Sequence, residues 1–427
     1  MSTSLGWGDA LWLARRRTPN DRLRFWGSML SSAIAAALLC TAIGLIALRG
    51  APVVASIQVV AEPGTRGGTA FAVLLVALPA LYLTGQTWKL GSIERRERMR
   101  QLRDAGAGVN DLRRVAMADT LVPVLIGAVA GVVLLGVALG LLNARGSYLP
   151  GYLDTPDGGV VPSGTYVLQR GMPVVPNVVT AAWWATLLAV ALVALGAAAA
   201  AARAVSRVDE PETRTRAPRT WSGALAKRTG RPDLLLALRR LSDEPGPTTR
   251  PALLLGLAAI VAGASVWLSR QYRLSLGRQW LEDDFFSQSF DLIRLATWVG
   301  VGLCALGLVV ALADAVVRRR RADAAAVASG VPLGVLRRAL VLQTLVPAVP
   351  AVLGGLVLGG GLAVAFTGPQ IGNRFAEPGL QAPLVPFPWL LWLSWAVGIL
   401  VVAVCAALLA STALSRTTRT DQLRVPA

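Results

Sequence analysis

Eight stretches of this chain are each apolar for about 20 residues, which is the length of helix needed to cross a bilayer. Only 15% of the 427 residues are charged and 54% are hydrophobic, so the composition excludes a soluble multidomain protein. The sequence therefore predicts an all-α polytopic membrane protein with eight transmembrane helices. We expect the first span to stay uncleaved, because no small-residue cleavage site follows it. The predicted spans are residues 27–48, 69–88, 115–143, 179–204, 251–269, 292–317, 339–366 and 389–415.

The second half of the chain repeats the first at a constant offset of 224 residues. The segment from Thr120 to Pro123 recurs from Thr344 to Pro347, and 11 of the 25 positions from Leu112 to Gly136 are identical in the two copies. An ungapped match of this kind marks an internal duplication, which predicts two repeats of four spans. The predicted organisation is a first repeat at 1–204, a polar linker at 205–232 and a second repeat at 233–427.

The distribution of the basic residues along the chain indicates a membrane topology rather than nucleic-acid binding. A formal net charge of +18 would indicate a polyanionic partner in a soluble protein. Here, if the N-terminus lies inside, 33 of the 42 Lys and Arg residues fall in segments on the inner side. This positive-inside bias predicts that both termini are cytoplasmic. We expect membrane lipids around the chain and no nucleic-acid partner, because no basic face is interleaved with aromatic residues.

The sequence lacks the commonest general base and metal ligand, histidine, and a nucleotide-binding loop. The sequence has no histidine, and its three cysteines fall inside predicted spans without the spacing of metal ligands. It also has no GxxxxGK[ST] loop to hold a nucleotide phosphate. We therefore predict that this chain is no enzyme and that it binds no metal or cofactor itself.

A short basic segment separates the second and third spans. Within residues 93–114, Met99, Leu102 and Gly106 recur at helical spacing among charged residues, which predicts a short amphipathic helix that ends in a glycine cap. A loop that is merely retained in the cytoplasm needs only a few basic residues. We therefore favour a docking surface, with simple retention as the alternative.

The second half carries a related segment at residues 318–338. Gly330 stands at the position of Gly106, and the apolar face is predicted to consist of Ala325, Ala326 and Val327. Both copies then lead into the same Leu-Arg-Arg sequence and a long glycine-rich span.

The first segment, ERRERMRQLRDAGAG, with the Leu-Arg-Arg sequence and glycine-rich span behind it, closely resembles the FtsX-like permease family, the membrane subunits of a class of ABC transporters. Leu102, Arg103, Gly106 and Ala107 fit the Leu-Arg-x-x-Gly-Ala core of that family. The second copy keeps the glycine but has alanine and valine in place of Leu-Arg. The resemblance covers about residues 74–204 and 298–415.

The resemblance implies a permease of the bacterial plasma membrane that works with a separate cytoplasmic ABC ATPase dimer. ATP and Mg would be bound by that partner, and each short basic helix would be a coupling helix seated on one ATPase subunit. The residues predicted to dock on the ATPase are Arg98, Met99, Leu102, Arg103, Ala105, Gly106, Ala325, Ala326, Ser329 and Gly330.

The substrate class is narrowed by what lies outside the membrane. Relatives that act on periplasmic partners carry a large domain between their first two helices, whereas this loop, residues 49–68, has about 20 residues. Export or extraction of a membrane-active peptide, drug or lipid is therefore the predicted function. Two alternatives stay open: an ion-coupled secondary transporter built on parallel repeats, which favours carboxylates near the bilayer midplane, and an antibiotic-sensing membrane subunit.

Three further patterns describe the spans and their flanks. Glycines at small-xxx-small spacing allow close helix packing, and prolines near the start of the third and seventh spans can act as hinges. The predicted packing or hinge residues are Pro123, Gly131, Gly136, Pro347, Gly355 and Gly360.

Residues 9–17 and 233–240 align as amphipathic segments, interpreted either as interfacial anchors or as docking elements. Tryptophans expected at the outer headgroup level are Trp183, Trp184, Trp389, Trp392 and Trp395.

Overall fold

The structure is a computed structural model. It describes residues 6, 8–9, 12, 19–48, 63–89, 92–144, 147–154, 160–169, 177–206, 229–244, 246–276, 284–370 and 384–417. The helices are α1 Pro19–Ala47, α2 Pro63–Thr87, α3 Ser92–Asp104, α4 Val109–Ala144, α5 Val178–Ala181, α6 Trp183–Ser206, α7 Pro232–Asp243, α8 Gly246–Leu276, α9 Asp284–Arg318, α10 Arg320–Ala328, α11 Leu333–Thr367 and α12 Trp389–Thr417. Most of the predicted linker, most of the segment 9–17 and most of the loop 49–68 lie outside the described residues.

The predicted eight-span, all-α membrane architecture is confirmed. Helices α1, α2, α4, α6, α8, α9, α11 and α12 are each long and apolar enough to cross a bilayer. One element outside the spans was not foreseen. Strands β1 Ser147–Asp154 and β2 Val160–Gln169 pair antiparallel in the loop after α4. The two tyrosines of β1 and the valines, threonine and tyrosine of β2 favour this pairing.

The spans form two bundles of four, each with its own core. In the first, α1 packs on α2, α4 and α6; in the second, α8 packs on α9, α11 and α12. Residues such as Ala36 and Val124 are fully buried in the first core, and Leu255 and Ile399 in the second. The fold therefore repeats the arrangement that the duplicated sequence predicts.

The bundles meet through two equivalent helices, α2 and α9. Val76 of α2 and Leu303 of α9 share the first core. Gly307 lies against the ring of Tyr82, where an added Cβ would be 2.7 Å from Cε1. Since α2 and α9 correspond at the 224-residue offset, the two halves are related by an approximate two-fold rotation at this contact.

Glycines bring the third helix of each bundle close to the first. A Cβ on Gly131 would collide with the backbone of Ala33 in α1, and a Cβ on Gly355 with the backbone of Gly256 in α8. Gly360 faces the indole of Trp392, whereas Gly136 only reaches Val179, at an ordinary distance of 3.4 Å. The α1–α4 and α8–α11 pairs are thus in backbone contact. Both α4 and α11 continue unbroken through Pro123 and Pro347.

The tryptophans do not all lie at the membrane surface. Trp183, Trp184 and Trp389 are largely exposed, as expected of interfacial rings. The interpretation was wrong for Trp395, which is buried and stacks on Trp298 with ring centroids 4.9 Å apart. Its position on the inner face of α12, two turns after the start of the helix, places it in the core rather than at the headgroups.

Candidate functional site: two glycine-ended helices on the basic side

Helices α3, α7 and α10 lie at the same end of the bundle, and we call this end the basic side. Helices α3 and α10 each connect the second span of a bundle to the third. Both end at the same position of the repeat, α3 at Asp104 and α10 at Ala328. The following spans also begin in register, at Val109 and Leu333.

The turn after each helix has the geometry that the sequence predicts. Gly106 has φ 94° and Gly330 has φ 96°, a left-handed conformation that favours glycine because it has no Cβ. In the first copy the Gly106 amide donates to the Arg103 carbonyl at 2.8 Å, and the Ala107 amide donates to the Leu102 carbonyl at 3.0 Å. This pair of hydrogen bonds is a Schellman motif. The predicted glycine cap is therefore confirmed.

The second copy repeats this hydrogen bonding. The Gly330 amide donates to the Val327 carbonyl at 3.0 Å, and the Val331 amide donates to the Ala326 carbonyl at the same distance. Two sequences that differ at most other positions of the helix therefore end in the same turn. The turn is the feature that both copies share.

Helix α3 is held to the bundle by its apolar face. Met99 is 4% exposed and lies in a cluster with Leu112 and Val115 of α4, and Leu102 is partly buried against the same cluster. Met99 was predicted to contact a partner, but the structure assigns it to the interior, since α4 covers its side chain. Its role is to fix the position of α3 on α4.

Helix α10 presents a different face from the one predicted. Asp323 and Ala324 are its buried residues, whereas Ala325 is exposed and Ala326 is half-buried. Ala325, Ala326 and Val327 are therefore not the residues that pack most closely on the bundle, and the docking role of Ala325 and Ala326 stays a prediction. An ion pair turns the helix so that the carboxylate, not the alanine run, faces the protein.

The remaining docking candidates are accessible to a partner. Arg103, Ala105, Gly106, Ser329 and Gly330 are exposed. Arg98 is half-buried. They lie on and beside the two glycine turns. In each copy, the structure therefore brings the candidates together at the tip that the glycine turn forms. Their docking role stays a prediction.

The sequence interpretation missed two apolar residues at these tips. Val109 is 56% exposed and Leu333 is 37% exposed, and they occupy the same position of the repeat. Each is the first residue of its span and directly follows the glycine turn. An apolar side chain kept in both copies within a charged segment was the signal that could have identified them.

The first tip is tied to the bundle through Asp119 of α4. Arg24 of α1 forms an ion pair with this carboxylate, and the side chains are only 8% and 11% exposed. The Nε of Arg95, near the start of α3, lies 3.9 Å from the same carboxylate. The Nη2 of Arg95 also donates to the Trp88 carbonyl at the end of α2, at 2.7 Å. One buried carboxylate therefore links α1, α3 and α4.

The second tip is tied to α7 instead. Arg240 of α7 pairs with Asp323 of α10 at 2.5 Å, with side chains 11% and 5% exposed. The Oε2 of Glu244, at the end of α7, lies 3.3 Å from the Nη2 of Arg319 and 3.7 Å from the Nη2 of Arg318. Arg318 also pairs with Asp314. Helix α7 is therefore a brace between α10 and α11, not only an interfacial anchor.

Burial governs the electrostatics of this brace. Loss of hydration raises the pKa of the Asp323 carboxyl, although the Arg240 and Arg319 guanidinium groups oppose that effect. Burial likewise lowers the pKa of Arg240, against the influence of Asp323. Each charge thus compensates for the desolvation of the other.

The described residues contain no cluster of His, Cys, Asp or Glu suited to a metal ion. Fold and site together define a multi-pass membrane protein with duplicated architecture and two protruding helical turns on one side. A sequence model of the FtsX-like permease C-terminal family matches residues 70–209 and 294–419, which is more than half of the chain. The chain belongs to the FtsX-like permease family.

The two matched regions begin 224 residues apart, which is the offset of the internal repeat. Permeases of this family are membrane subunits that generally work with ABC ATPases. Neither the curated proteins nor the solved structures contain a significant match.

Proposed function

We propose that this chain is the permease of an ATP-driven transporter, in which one duplicated polypeptide supplies both halves. A separate ABC ATPase dimer binds and hydrolyses ATP with Mg. Its two subunits contact the tips of α3 and α10. Closure of the ATPase dimer on ATP moves these tips and, through α4 and α11, the membrane helices.

The observation that carries this proposal is the pair of exposed glycine turns. Each turn presents an exposed apolar residue, Val109 or Leu333, on a surface otherwise rich in arginine. Isolated exposed apolar groups are common, but recurrence at one position of a repeat is typical of a contact made twice. A dimeric ATPase offers two equivalent grooves for such a contact.

The basic side faces the cytoplasm in this proposal. The excess of Lys and Arg in the connecting segments on this side favours retention inside a bacterial plasma membrane, and ATP is available only there. The short connection between α1 and α2 leaves no room for a large external domain. Export or extraction of a membrane-active peptide, drug or lipid is therefore the transport activity that we propose.

An ion-coupled mechanism has less support. The buried carboxylates among the described residues, Asp119, Asp314 and Asp323, all lie at the basic side, and each is paired with an arginine. Ion-coupled transport favours a titratable group near the middle of the bilayer.

Docking is tested by co-purification from the native membrane. The double variant Val109→Asp/Leu333→Asp places a carboxylate at both tips without disturbing a buried contact. We expect the wild-type chain to retain an ABC ATPase and the double variant to lose most of it. The control Gly230→Asp adds one carboxylate on the basic side but away from the tips, at a position where a Cβ meets nothing within 4 Å. Equal ATPase retention by the wild type and the double variant would remove the tips from the interface.

A further inference from the structure

A cavity lies between the two bundles, where α2, α8 and α9 meet. It is lined by residues 72–79 of α2, 254–261 of α8 and 293–300 of α9. Val76, Val261 and Gly300 are near the middle of their spans, so the cavity lies at the depth of the hydrocarbon core.

The lining is almost entirely aliphatic. Thr297 is the one lining residue with a polar side chain, and its hydroxyl already donates to the Ile293 carbonyl at 2.7 Å. The cavity therefore offers no hydrogen bond to a ligand, which limits its contents to hydrocarbon. Small residues, among them Ala258 and Ala296, leave the space.

The cavity opens towards the lipid. Leu254, Leu257, Val261 and Ile293 are only half-buried, and at this depth the surroundings of the protein are acyl chains. A lipid chain can therefore enter from the side, between α2 and α8, without crossing a polar surface.

Polar groups occur only at the edge of the cavity nearest the basic side. Arg250 lies one turn before Leu254 and therefore on the same face of α8. Its side chain is exposed, and because helix side chains tilt towards the N-terminus, it extends towards the basic side. The long stem of an arginine allows its charge to reach the headgroup level.

The second polar group is Tyr82, one turn beyond Pro79 on α2. Its hydroxyl is buried and has no hydrogen-bond partner in the part of the chain that the structure describes. A buried unpaired hydroxyl costs free energy, and a ligand that accepts its proton recovers part of that cost. Tyr82 follows the lining residue Pro79 by three positions, and Arg250 precedes the lining residue Leu254 by four. Each therefore lies on the cavity face of its helix, one turn towards the basic side.

We propose that this cavity binds an anionic phospholipid of the leaflet on the basic side. One acyl chain fills the aliphatic cavity, and the phosphate lies against the Arg250 guanidinium and accepts from the Tyr82 hydroxyl. Arginine suits phosphate because its guanidinium donates several hydrogen bonds in a planar fork. A neutral amphiphile would fill the cavity, but it would offer Arg250 no net negative charge to pair with.

This site does not depend on the proposed ATPase. Because α2 and α9 form the contact between the bundles, a lipid bound beside them affects how the two halves move relative to each other. The binding itself can be measured on the purified chain, so its failure leaves the transport proposal untouched.

The test uses the full chain in phosphatidylcholine vesicles that contain a trace of lipid with a photoreactive acyl chain. One preparation carries the probe on phosphatidylglycerol, the other on phosphatidylcholine. Cross-linked peptides are identified by mass spectrometry. We expect the phosphatidylglycerol probe to label residues 72–79, 254–261 and 293–300 several-fold more than the phosphatidylcholine probe. Equal labelling by the two probes would overturn the proposal.

Three variants separate the cavity from its rim. Arg250→Gln should reduce phosphatidylglycerol labelling to the phosphatidylcholine level, whereas Arg239→Gln, which removes an exposed arginine of α7, should not. Ala258→Phe should abolish labelling by both probes because its ring fills the space. Ala296→Leu fills the same space with a smaller group if Ala258→Phe does not fold. Unchanged labelling in a folded cavity-filling variant would show that the lipid binds elsewhere.

A matched control for the filled cavity comes from the same helix. Leu253 is 70% exposed and faces the lipid next to the cavity. Leu253→Phe adds a comparable aromatic group without entering the cavity, so labelling of residues 254–261 should be preserved. Loss of labelling in this control would attribute the effect to the helix surface and contradict the cavity assignment.

Discussion

Gly106 and Gly330, 224 positions apart in the chain, share one left-handed backbone conformation, with φ of 94° and 96°. An L-residue with a side chain in this conformation costs about 1–2 kcal/mol. The two tips therefore depend on glycine at these positions for their shape.

Alanine at either glycine should lower stability and weaken docking. We expect Gly106→Ala and Gly330→Ala each to cost about 1–2 kcal/mol and to reduce ATPase co-purification, because the Schellman turn must distort. Thermal unfolding of the purified chain and the amount of co-purified ATPase report the two effects.

The matched controls are the neighbouring glycines Gly108 and Gly334, neither of which has a positive φ. A Cβ at Gly108 meets Asp111 at an ordinary 3.5 Å, and a Cβ at Gly334 meets nothing within 4 Å. Alanine there should be tolerated. If the two pairs of variants unfold at the same temperature, the turn geometry is not what limits stability.

Replacing Arg24 and Asp119 of the first bundle by the residues at the equivalent positions of the second should be tolerated only when both are replaced together. Arg24 and Asp119 correspond to Thr248 and Gln343, a neutral buried pair of positions. Asp119→Gln alone leaves Arg24 buried without its counter-charge and should cost about 3–5 kcal/mol. The double variant Arg24→Thr/Asp119→Gln should recover most of that loss. Thermal unfolding measures both variants.

The exposed Glu97 provides the control for this exchange, since Glu97→Gln removes a carboxylate of α3 that faces solvent. Such surface changes stay within about 0.5 kcal/mol. A double variant no more stable than Asp119→Gln would mean that Asp119 acts mainly through Arg95.

The brace between α7 and α10 should show strong coupling in a double-mutant cycle. Removing either Arg240 or Asp323 leaves one buried charge alone, at a cost of about 3–5 kcal/mol, whereas an apolar replacement of both is often neutral or stabilising. We expect Arg240→Leu and Asp323→Leu to destabilise singly and to compensate in combination. The cycle is measured by thermal unfolding.

The exposed pair Arg294 and Asp291, with side chains 44% and 72% exposed, is the reference for this cycle. Its coupling should stay below about 1 kcal/mol. Additive losses at Arg240 and Asp323 would indicate that the two side chains do not depend on each other.

Replacing a glycine of the close helix pairs by alanine should lower stability only where the glycine contacts another backbone. Gly131→Ala and Gly359→Ala place a methyl group against backbone atoms of Ala33 and Ile260, and overpacking of this kind costs about 1–3 kcal/mol. Gly140→Ala and Gly361→Ala meet nothing within 4 Å and should be neutral or stabilising by up to about 1 kcal/mol through helix propensity.

Thermal unfolding of these four alanine variants decides whether backbone contact determines packing. Equal stability in all of them would mean that α1–α4 and α8–α11 can separate at little cost. In that event the close approach would not constrain how the bundles move.

The helices and their ends could be predicted from the sequence because they depend on local and repeated signals. Long apolar runs define the spans, and one offset relates Gly106 to Gly330 and Val109 to Leu333. The ion pairs could not be predicted in this way. Arg24 and Asp119 are 95 positions apart, Arg240 and Asp323 are 83 apart, and neither pair recurs in the other half.

The orientation of the short helices shows the same limit. Met99 and Asp323 occupy the same position of the repeat, and both are buried, but one packs on apolar residues and the other pairs with arginine. Local spacing places a residue on one face of a helix, whereas the neighbouring helix decides which face is covered. In the second copy the neighbouring helix is α7, whose Arg240 pairs with Asp323.

The duplication, in which α2 and α9 of one chain meet as equivalent helices, has a genetic consequence. A transporter made from two copies of one short chain receives every substitution on both sides of its symmetry axis. Here the two sides are encoded separately, so a substitution at Asp323 removes the ion pair that holds α10 and leaves the ion pair of Asp119 intact. In the transporter that we propose, such a substitution would slow the nucleotide cycle of one ATPase subunit and not of the other, which an assembly of two identical chains does not allow.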